Sequence, residues 1–233
     1  MNIIVTGASR GIGFELVKLF AADPKNKVVA ISRNRSRLEQ LKRECRGGIV
    51  YPAVVDFSNK DFKRDITLQV LSLISSVDIL VNNAGALVNK PMEELTTDDV
   101  EKMFRVNVIS QFEFLQALLP YMGKGKLPTH IVNISSMGGL QGSAKFPGLS
   151  GYSSSKAALA TLTECLAEEF KDRNISANCL MLGAVQTEMF EEAFPGEKTE
   201  MTPLLMAAYI RDFALTGATF FNGKIIPVAK GTP

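Results

Sequence analysis

The sequence predicts a three-layer α/β fold in which a seven-stranded parallel sheet carries helices on both faces. Apolar runs that suit buried strands alternate with amphipathic runs that suit helices along the whole chain, which is the pattern of βα units around a parallel sheet. A length of 233 residues suits one large domain of this class better than two small ones. No internal repeat or linker-like break divides the chain. We therefore expect a single domain over residues 1–233.

The first half of the chain contains four apolar runs of strand length. The predicted strands are Asn2–Thr6, Val28–Ser32, Ile49–Val55 and Ile79–Asn82. The predicted helices between them are Gly11–Ala22, Ser36–Glu44 and about Lys60 to Ser75.

The second half begins with a long helix. Thr97, followed by Asp98 and Asp99, is expected to cap that helix, which continues to about Tyr121 with a bend. Pro227 cannot donate to a ladder, so the last strand should lie at a sheet edge. The remaining predicted elements are the strand His130–Ser135, the helix Tyr152–Phe170 and the strands Ser176–Leu182 and Lys224–Val228.

Composition excludes several classes of protein. The net charge of +2 is spread along the chain and favours neither nucleic acid nor a membrane surface as a partner. No apolar run approaches the ~20 residues that span a bilayer, and a strand beginning at Asn2 leaves no room for a signal peptide. The three cysteines are widely spaced and predict buried or partly buried free thiols in a reducing cytoplasm. With His130 as the only histidine, we expect no metal site and no Ser-His-Asp triad.

A glycine-rich turn joins the first strand to the first helix. Its sequence is Thr6-Gly7-Ala8-Ser9-Arg10-Gly11-Ile12-Gly13. Glycines let the backbone turn tightly and let a pyrophosphate approach the helix N-terminus without a Cβ in the way. The spacing is Gly-x-x-x-Gly-x-Gly, not the commoner Gly-x-Gly-x-x-Gly. A simple connecting loop is the alternative, and the position between strand and helix favours dinucleotide binding.

The end of the second predicted strand bears on cofactor choice. An acid there would accept hydrogen bonds from a ribose 2′-hydroxyl and favour NAD, but this chain has Ser32-Arg33. The Arg33 guanidinium can bind a 2′-phosphate bidentately, and Arg10 can add a second cation. The alternative is that both are ordinary surface arginines. We expect NADP(H) as the preferred cofactor, with NAD as the alternative.

Polar segments follow the fourth and fifth predicted strands, at the sheet edge where ligands of open α/β sheets gather. The first is Asn82-Asn83-Ala84-Gly85, whose amides can bridge adjacent strands and whose small residues leave space for a nucleotide. Taken alone, its alternative is a simple turn built from residues that favour turns. The second is Asn133-Ile134-Ser135-Ser136, which places hydroxyls at the same edge.

Tyr152 and Lys156 lie four residues apart and therefore share one face of a predicted helix. An ammonium near a phenol favours the phenolate, which makes the phenol a usable acid at neutral pH. This spacing is common on solvated helices. It gains meaning here because the same chain carries the glycine-rich turn.

Together these segments resemble the short-chain dehydrogenase/reductase family. The resemblance runs from Asn2 to about Thr187 and rests on Thr6–Gly13, Asp56, Asn82–Gly85, Asn107, Ser136, Tyr152 and Lys156. It implies a single Rossmann-type domain that binds NAD(P) and transfers a hydride between nicotinamide and a ketone, aldehyde or alcohol. The cofactor would carry the redox chemistry, and the protein would supply orientation and electrostatics.

The resemblance also implies roles for individual residues. Tyr152 would be the general acid/base, and Lys156 would lower its pKa and hold the nicotinamide ribose. Ser136 would hydrogen-bond the substrate oxygen, Asn107 would support a water for proton relay, and Asp56 would lie near the adenine. The expected cofactor contacts are Gly7, Ser9, Arg10, Gly11, Ile12, Gly13, Arg33, Asp56, Asn83, Ala84, Gly85, Tyr152, Lys156, Gly183, Val185 and Thr187.

Two segments depart from the family pattern. Ser136 and Tyr152 are about three residues further apart than expected, so Ser135 is the alternative to Ser136. Leu182 replaces a proline, while Gly183 and Thr187 are kept.

A short segment, about Glu188 to Thr202, stands where a substrate lid is expected. Its apolar residues would either line the pocket or pack against the domain, and they are Met189, Phe190, Phe194 and Met201.

The leading functional hypothesis is an NADPH-dependent carbonyl reductase acting on a small or medium ketone or aldehyde. A 3-oxoacyl-carrier-protein reductase ranks lower, because only Lys124, Lys126 and Arg105 suggest a basic surface for an acidic carrier. A non-catalytic dinucleotide-sensing protein is the alternative from another class.

We expect a homodimer or homotetramer formed through the long helices that begin near Asn107 and at Tyr152. An alanine-rich face would permit close helix approach, or would face the chain's own sheet, and comprises Ala157, Ala158, Ala160 and Ala167.

Overall fold

The structure, a computed structural model, describes residues 1–230 and their side chains except those of Arg64, Thr67 and Leu68. Seven strands pair in parallel in the order β3-β2-β1-β4-β5-β6-β7. They are β1 (Asn2–Thr6), β2 (Lys27–Ser32), β3 (Ile49–Val54), β4 (Ile79–Asn82), β5 (Thr129–Ser136), β6 (Ile175–Leu182) and β7 (Ile225–Val228). The predicted seven-stranded parallel sheet is confirmed, with strand ends shifted by a residue or so.

The strands read as apolar runs because both faces of the sheet are covered. Prolines occur in the two edge strands, Pro52 in β3 and Pro227 in β7, where a missing N–H breaks no inner ladder. The predicted edge position of the last strand is therefore confirmed. At the other edge, the Gln69 side chain bonds the backbone N–H and C=O of Val54 at 2.9 and 3.0 Å.

Helices pack on both faces of the sheet. One face carries α1 (Gly11–Ala21), α2 (Arg35–Glu44) and α8 (Pro203–Thr216) around one apolar core. The other carries α3 (Phe62–Gln69), α5 (Ser110–Leu118) and α6 (Ser150–Glu169) around a second. The remaining α-helices are α4 (Thr97–Phe104) and α7 (Glu188–Ala193).

The helix predicted from Thr97 to about Tyr121 is divided into segments. A π-helical turn, Arg105–Ile109, separates α4 from α5, and a 3₁₀ turn, Leu119–Tyr121, follows α5. The predicted cap was wrong by one residue. Thr96 is the N-cap, because its hydroxyl accepts from the Asp99 N–H while the Asp99 carboxylate accepts from the Thr96 N–H. π-Turns are rare and often occur at functional sites.

The third predicted helix was too long. It was expected to reach Ser75 but ends at Gln69, because the following serines and β-branched residues are weak helix formers. Val70 and Ile74 are nevertheless buried in the core beside α3.

Within residues 1–230, no helix combines the length and the apolarity needed to cross a membrane. The same part of the chain contains no cluster of three or more metal-ligating His, Cys, Asp or Glu side chains. Cys179 is buried and Cys45 is partly buried, but Cys165 is exposed on α6, so the prediction that all three thiols are at least partly buried is wrong for Cys165.

Candidate active site

A cavity of about 1100 Å³ opens at the carboxyl edge of the sheet. It lies where strand order reverses on either side of β1, the usual ligand site of open α/β sheets. Most predicted cofactor contacts line it, namely Gly7, Ser9, Arg10, Gly11, Ile12, Arg33, Asp56, Asn83, Ala84, Gly85, Tyr152, Lys156, Gly183, Val185 and Thr187. Gly13 and Asn107 do not line the cavity and lie behind its wall.

The glycine turn has the geometry that a diphosphate needs. Gly7 and Gly11 have φ values of +69° and +56°, in the left-handed region that favours glycine. A Cβ on Gly13 would lie 2.4 Å from the Gly7 carbonyl oxygen, so no side chain fits there. Arg10 occupies the N-cap of α1 without a side-chain hydrogen bond to the helix. The positive end of α1 therefore faces the cavity uncapped, which fits a dinucleotide phosphate.

Hydrogen bonds tie the end of β4 to this turn. The Thr6 hydroxyl accepts from the N–H groups of Asn83 and Ala84 at 3.0 and 2.9 Å. The Asn83 side chain donates to the carbonyls of Thr6 and Gly7 at 3.1 and 3.3 Å. A Cβ on Gly7 would lie 2.9 Å from the Ala84 Cα. Two walls of the cavity are thus held together by hydrogen bonds of the Thr6 and Asn83 side chains and by close backbone packing.

Asn82 bridges the neighbouring strand, as the sequence predicts. Its Nδ2 donates to Asn133 Oδ1 at 2.8 Å, and Asn133 Nδ2 donates to the Thr163 hydroxyl of α6 at 2.9 Å. These side chains are almost fully buried. The chain of bonds fixes β4, β5 and α6 relative to one another below the cavity.

Arg33 and Asp56 follow the paired strands β2 and β3, and both line the cavity at that side of the sheet. Arg33 is exposed and forms no ion pair with another residue that the structure describes. The Asp56 carboxylate accepts from the N–H and hydroxyl of Ser58 at 2.9 and 2.7 Å. Both residues line the same cavity as the glycine turn.

Arg10 and Arg37 also line the cavity and are paired with carboxylates of α7. Arg10 forms a two-pronged ion pair with Glu192, and Arg37 Nη1 lies 3.2 Å from Glu188 Oε1. The Arg10 partner lowers the pKa of Glu192. The sequence analysis missed Arg37, although it follows Arg33 by four residues and carries the same charge.

Tyr152, Ser136 and Lys156 meet at the other end of the cavity. The Tyr152 phenol is hydrogen-bonded with Ser136, whose Oγ also accepts from the Gly138 N–H at 3.2 Å. Lys156 is buried, and its Nζ lies 5.8 Å from the Tyr152 ring centroid. That Nζ donates to the Ile134 carbonyl at 2.9 Å.

Burial is the largest influence on the pKa values of both Tyr152 and Lys156. It raises the pKa of Tyr152 to about 12, although the hydrogen bond with Ser136 acts in the opposite direction. It also lowers the pKa of Lys156 to about 8, against the effect of nearby Cys179. The pKa of Tyr152 is therefore raised and not lowered, in contrast to the expectation, because desolvation of the phenol is the largest effect and the Lys156 ammonium is bonded to the Ile134 carbonyl.

Ser136, not Ser135, offers its hydroxyl to Tyr152. Ser135 is buried, and its Oγ donates to the Lys156 carbonyl at 2.8 Å. The longer connection to Tyr152 does not displace Ser136, because the additional residues form turns and place Phe146 and Leu149 at the cavity wall.

Asn107 lies in the π-turn and is fully buried. Its side chain accepts from the Ala86 N–H at 2.7 Å and donates to the Ala86 carbonyl and the Ser155 hydroxyl, both at 2.9 Å. A Cβ on Gly85 would lie 3.4 Å from both Asn107 Oδ1 and Lys156 Nζ. The Asn107 amide therefore holds the loop after β4 against Lys156.

The segment after β6 forms one side of the cavity. Thr187 caps α7 through its hydroxyl, which accepts from the Phe190 N–H at 3.2 Å. Met189, Phe190 and Phe194 line the cavity, whereas Met201 packs against the core beneath α1 and α8. The two alternatives for these apolar residues are therefore both realised, in different residues.

The sequence profile of the family described as short chain dehydrogenase matches residues 1–198. The 3-oxoacyl-[acyl-carrier-protein] reductase of Thermotoga maritima is 32% identical over 191 residues, covering 81% of this chain and 76% of the relative. Carbonyl reductase [NADPH] 2 of Sus scrofa is 33% identical over 189 residues, covering 81% and 73%. The solved structure of a 4-hydroxyisoleucine dehydrogenase complexed with NADH has a TM-score of 0.85 at 27% identity, covering 99% of this chain and 97% of that one.

This chain belongs to the short-chain dehydrogenase/reductase family. It is an NAD(P)-dependent oxidoreductase built on the family's Rossmann-type fold, as the resemblance implies.

Proposed function

We propose that this protein is an NADPH-dependent carbonyl reductase that interconverts a ketone or aldehyde with the corresponding alcohol. The observation that carries the proposal is the meeting of the Tyr152 and Ser136 hydroxyls at the wall of the cavity that the glycine turn also lines. A proton donor and a dinucleotide-binding turn thus open on one shared space.

A bound nicotinamide would supply or accept the hydride at the substrate carbon. Negative charge then develops on the substrate oxygen, where preorganised donors stabilise it. We assign that stabilisation to the hydroxyls of Ser136 and Tyr152, and the proton transfer to Tyr152. Lys156, when charged, favours negative charge on the neighbouring phenol. Asn107 acts as a positioning residue, because its amide holds the Ala86 loop.

NADP(H) is the cofactor that the exposed cations favour. Arg33, Arg37 and Arg10 all line the cavity, and guanidiniums bind phosphate oxygens bidentately. The Sus scrofa relative is named for NADPH, whereas the 4-hydroxyisoleucine dehydrogenase structure contains NADH. NAD(H) therefore remains the alternative cofactor.

A 3-oxoacyl-carrier-protein reductase is the second candidate, and the Thermotoga maritima relative supports it as strongly as the Sus scrofa relative supports a carbonyl reductase. The three basic residues that suggest a carrier-binding surface in the sequence do not support this candidate in the structure. Lys124 and Lys126 precede β5 and lie at the amino edge of the sheet, opposite the cavity, and Arg105 is paired with Glu113. The apolar wall formed by Met189, Phe190 and Phe194 suits a free hydrophobic carbonyl compound.

The two candidates are separated by presenting one 3-oxoacyl group on a carrier protein and on a short thiol. A carbonyl reductase would reduce both with similar kcat/KM. A carrier-specific enzyme would prefer the carrier form by at least about tenfold.

The experiment that tests the proposed chemistry is a screen of diketones, aldehydes, quinones and steroids with NADPH and with NADH. The Tyr152→Phe variant should lose at least about a hundredfold in turnover, since proton transfer contributes on the order of 10²–10⁴. The matched control is Tyr209→Phe, an exposed tyrosine on α8. A wild type that consumes neither cofactor with any carbonyl would favour the dinucleotide-sensing alternative.

We further propose a homodimer or homotetramer that uses the α5 and α6 face. Ile109 and Phe112 are exposed on that side, whereas Ala160 and Ala167 are buried in the chain's own core. Light scattering tests the state directly, and a monomer at micromolar concentration would contradict it.

A further inference from the structure

Helix α7 carries two carboxylates that face the arginines of the cavity. Glu188 and Glu192 are four residues apart and therefore share one face of the helix. Glu188 pairs with Arg37 at 3.2 Å, and Glu192 holds both terminal nitrogens of Arg10. The third acid of the helix, Glu191, lies off this face and accepts instead from the Gln186 side chain at 2.8 Å.

These ion pairs lie inside the cofactor cavity. Arg10, Arg37, Glu188 and Glu192 all line it. A Cβ on Gly11 would come within 3.8 Å of Glu188 Oε2, which places that carboxylate beside the phosphate-binding turn. The acids of α7 therefore occupy the same guanidiniums that a phosphate at this end would use.

The pairs are partly exposed and therefore exchangeable. The side chains of Arg37 and Glu188 are 45% and 42% exposed, and those of Arg10 and Glu192 are 35% and 63% exposed. Exposed ion pairs contribute little free energy, whereas a phosphate dianion accepts several charge-assisted hydrogen bonds from a guanidinium. A phosphate can displace either carboxylate from its arginine. The free energy lost when that ion pair is broken reduces the net affinity for the phosphate.

We infer that Glu188 and Glu192 compete with the 2′-phosphate of NADP(H) for Arg37 and Arg10, and so reduce the preference for NADP(H) over NAD(H). The inference rests on the proposed cofactor site. It makes Glu188, Glu192 and Arg37 specificity-determining residues.

The test is calorimetric titration of NADPH, NADH, adenosine 2′,5′-bisphosphate and 5′-AMP into the wild type and two variants. The first variant is Glu188→Gln with Glu192→Gln, which keeps the side-chain size and removes the charges. The control is Glu191→Gln, which removes one charge from the same helix without touching an arginine pair. Melting temperatures of all three proteins confirm that they are folded.

The double variant should raise the ratio of NADPH to NADH affinity by about tenfold, since each exposed pair is worth a few-fold in affinity. The ratio for adenosine 2′,5′-bisphosphate over 5′-AMP should rise in parallel, and both ratios should change by less than about twofold in Glu191→Gln. Equal gains for both cofactors would overturn the inference, because they would indicate general charge repulsion. Unchanged ratios would also overturn it.

A double-mutant cycle identifies the arginine involved. Arg37→Gln should lower NADPH affinity several-fold with little effect on NADH, and Glu188→Gln should have no further effect on the ratio in that background. Independent effects of the two substitutions would contradict competition at Arg37.

Failure of the inference is distinguishable from failure of the proposed function. If the wild type reduces carbonyls but the Glu188→Gln, Glu192→Gln variant has an unchanged ratio of NADPH to NADH affinity, only the inferred competition is rejected. If neither NADPH nor adenosine 2′,5′-bisphosphate binds any of the proteins, the cofactor site and the competition are rejected together.

Discussion

At the end of the cavity that holds Tyr152, side chains are fixed by buried hydrogen bonds, whereas at the end that holds Arg33 they are held by exposed ion pairs. Lys156 and Asn107 are almost fully buried and bond to backbone atoms of neighbouring elements. Arg10 and Arg37 are partly exposed and bond to carboxylates of a short helix. Buried, fully bonded groups hold one geometry, as proton transfer requires, whereas exposed charges can exchange partners, as selection between cofactors requires.

The largest expected effect comes from removing the buried ammonium. Lys156→Met keeps the length of the side chain but removes the charge beside the Tyr152 phenol, and we expect kcat for carbonyl reduction to fall by about 10²–10³. Steady-state kinetics at saturating NADPH measure this fall. Retention of more than a tenth of the wild-type kcat would show that the charge at this end is dispensable.

Asn107→Leu should produce the next largest effect, on stability. It leaves the Ala86 N–H, the Ala86 carbonyl and the Ser155 hydroxyl without their partner, and we expect a loss of about 3 kcal/mol in the free energy of unfolding by urea.

The matched control for Asn107 is Gln111→Met. Gln111 is equally buried, but its side chain donates only to the Val106 carbonyl, and its Oε1 has no partner among the described residues. Its replacement should change the unfolding free energy by less than about 1 kcal/mol. Equal losses in the two variants would mean that burial alone, not anchoring of the loop, sets the cost.

The pH dependence of carbonyl reduction should report the buried lysine. Burial lowers the pKa of Lys156 to about 8, so the side chain becomes neutral above that pH and no longer favours charge on the phenol. We expect kcat to fall by about tenfold per pH unit above pH 8. In Lys156→Arg the guanidinium stays charged, and the fall should be absent even if the overall rate is lower. A wild-type rate that is flat to pH 9.5 would contradict this assignment.

The lowered pKa of Lys156 also makes the free energy of unfolding depend on pH. Between about pH 8 and the ordinary lysine value of 10.5, the unfolded chain binds more protons than the folded one at this residue. The Lys156 contribution to the free energy of unfolding therefore increases as pH rises through that window. Urea unfolding measures the free energy of unfolding of wild type and Lys156→Met at pH 7.5 and pH 9.5. The difference between the two proteins should be larger at pH 9.5, and this change isolates the Lys156 contribution.

The smallest expected effect is on the stability of the α7 ion pairs. Glu188→Gln with Glu192→Gln should shift the melting temperature by less than about 4 °C, because exposed pairs contribute about 0–1 kcal/mol each. Calorimetry measures the shift. A larger drop would mean that these pairs hold the fold together and are not free to exchange with a ligand.

The buried end of the cavity is also the end that sequence analysis predicts well. Parallel strands covered on both faces appear as continuous apolar runs, so β1 and β4 match their predicted bounds. Tyr152 and Lys156 are found from their helical spacing, and the glycine turn from its steric needs.

The exposed end could not be predicted in the same way. Arg37 and Glu188 are 151 residues apart, and a pair of surface charges leaves no periodic signal in a sequence. Helix α8 was missed because Leu204 and Leu205 are exposed within it, which blurs its apolar face. The π-turn that holds Asn107 inserts an extra residue into a helix without a distinctive residue type.

The direct test of this division between the two ends is one set of paired measurements: kcat and the NADPH dissociation constant for Tyr152→Phe and for Arg37→Gln. We predict that Tyr152→Phe loses at least about a hundredfold in kcat while its NADPH dissociation constant stays within about threefold of wild type. Arg37→Gln should show the reverse, with NADPH affinity several-fold weaker and kcat at saturating cofactor nearly unchanged. A Tyr152→Phe variant that loses NADPH binding and kcat together, or one that keeps its kcat, would contradict the account.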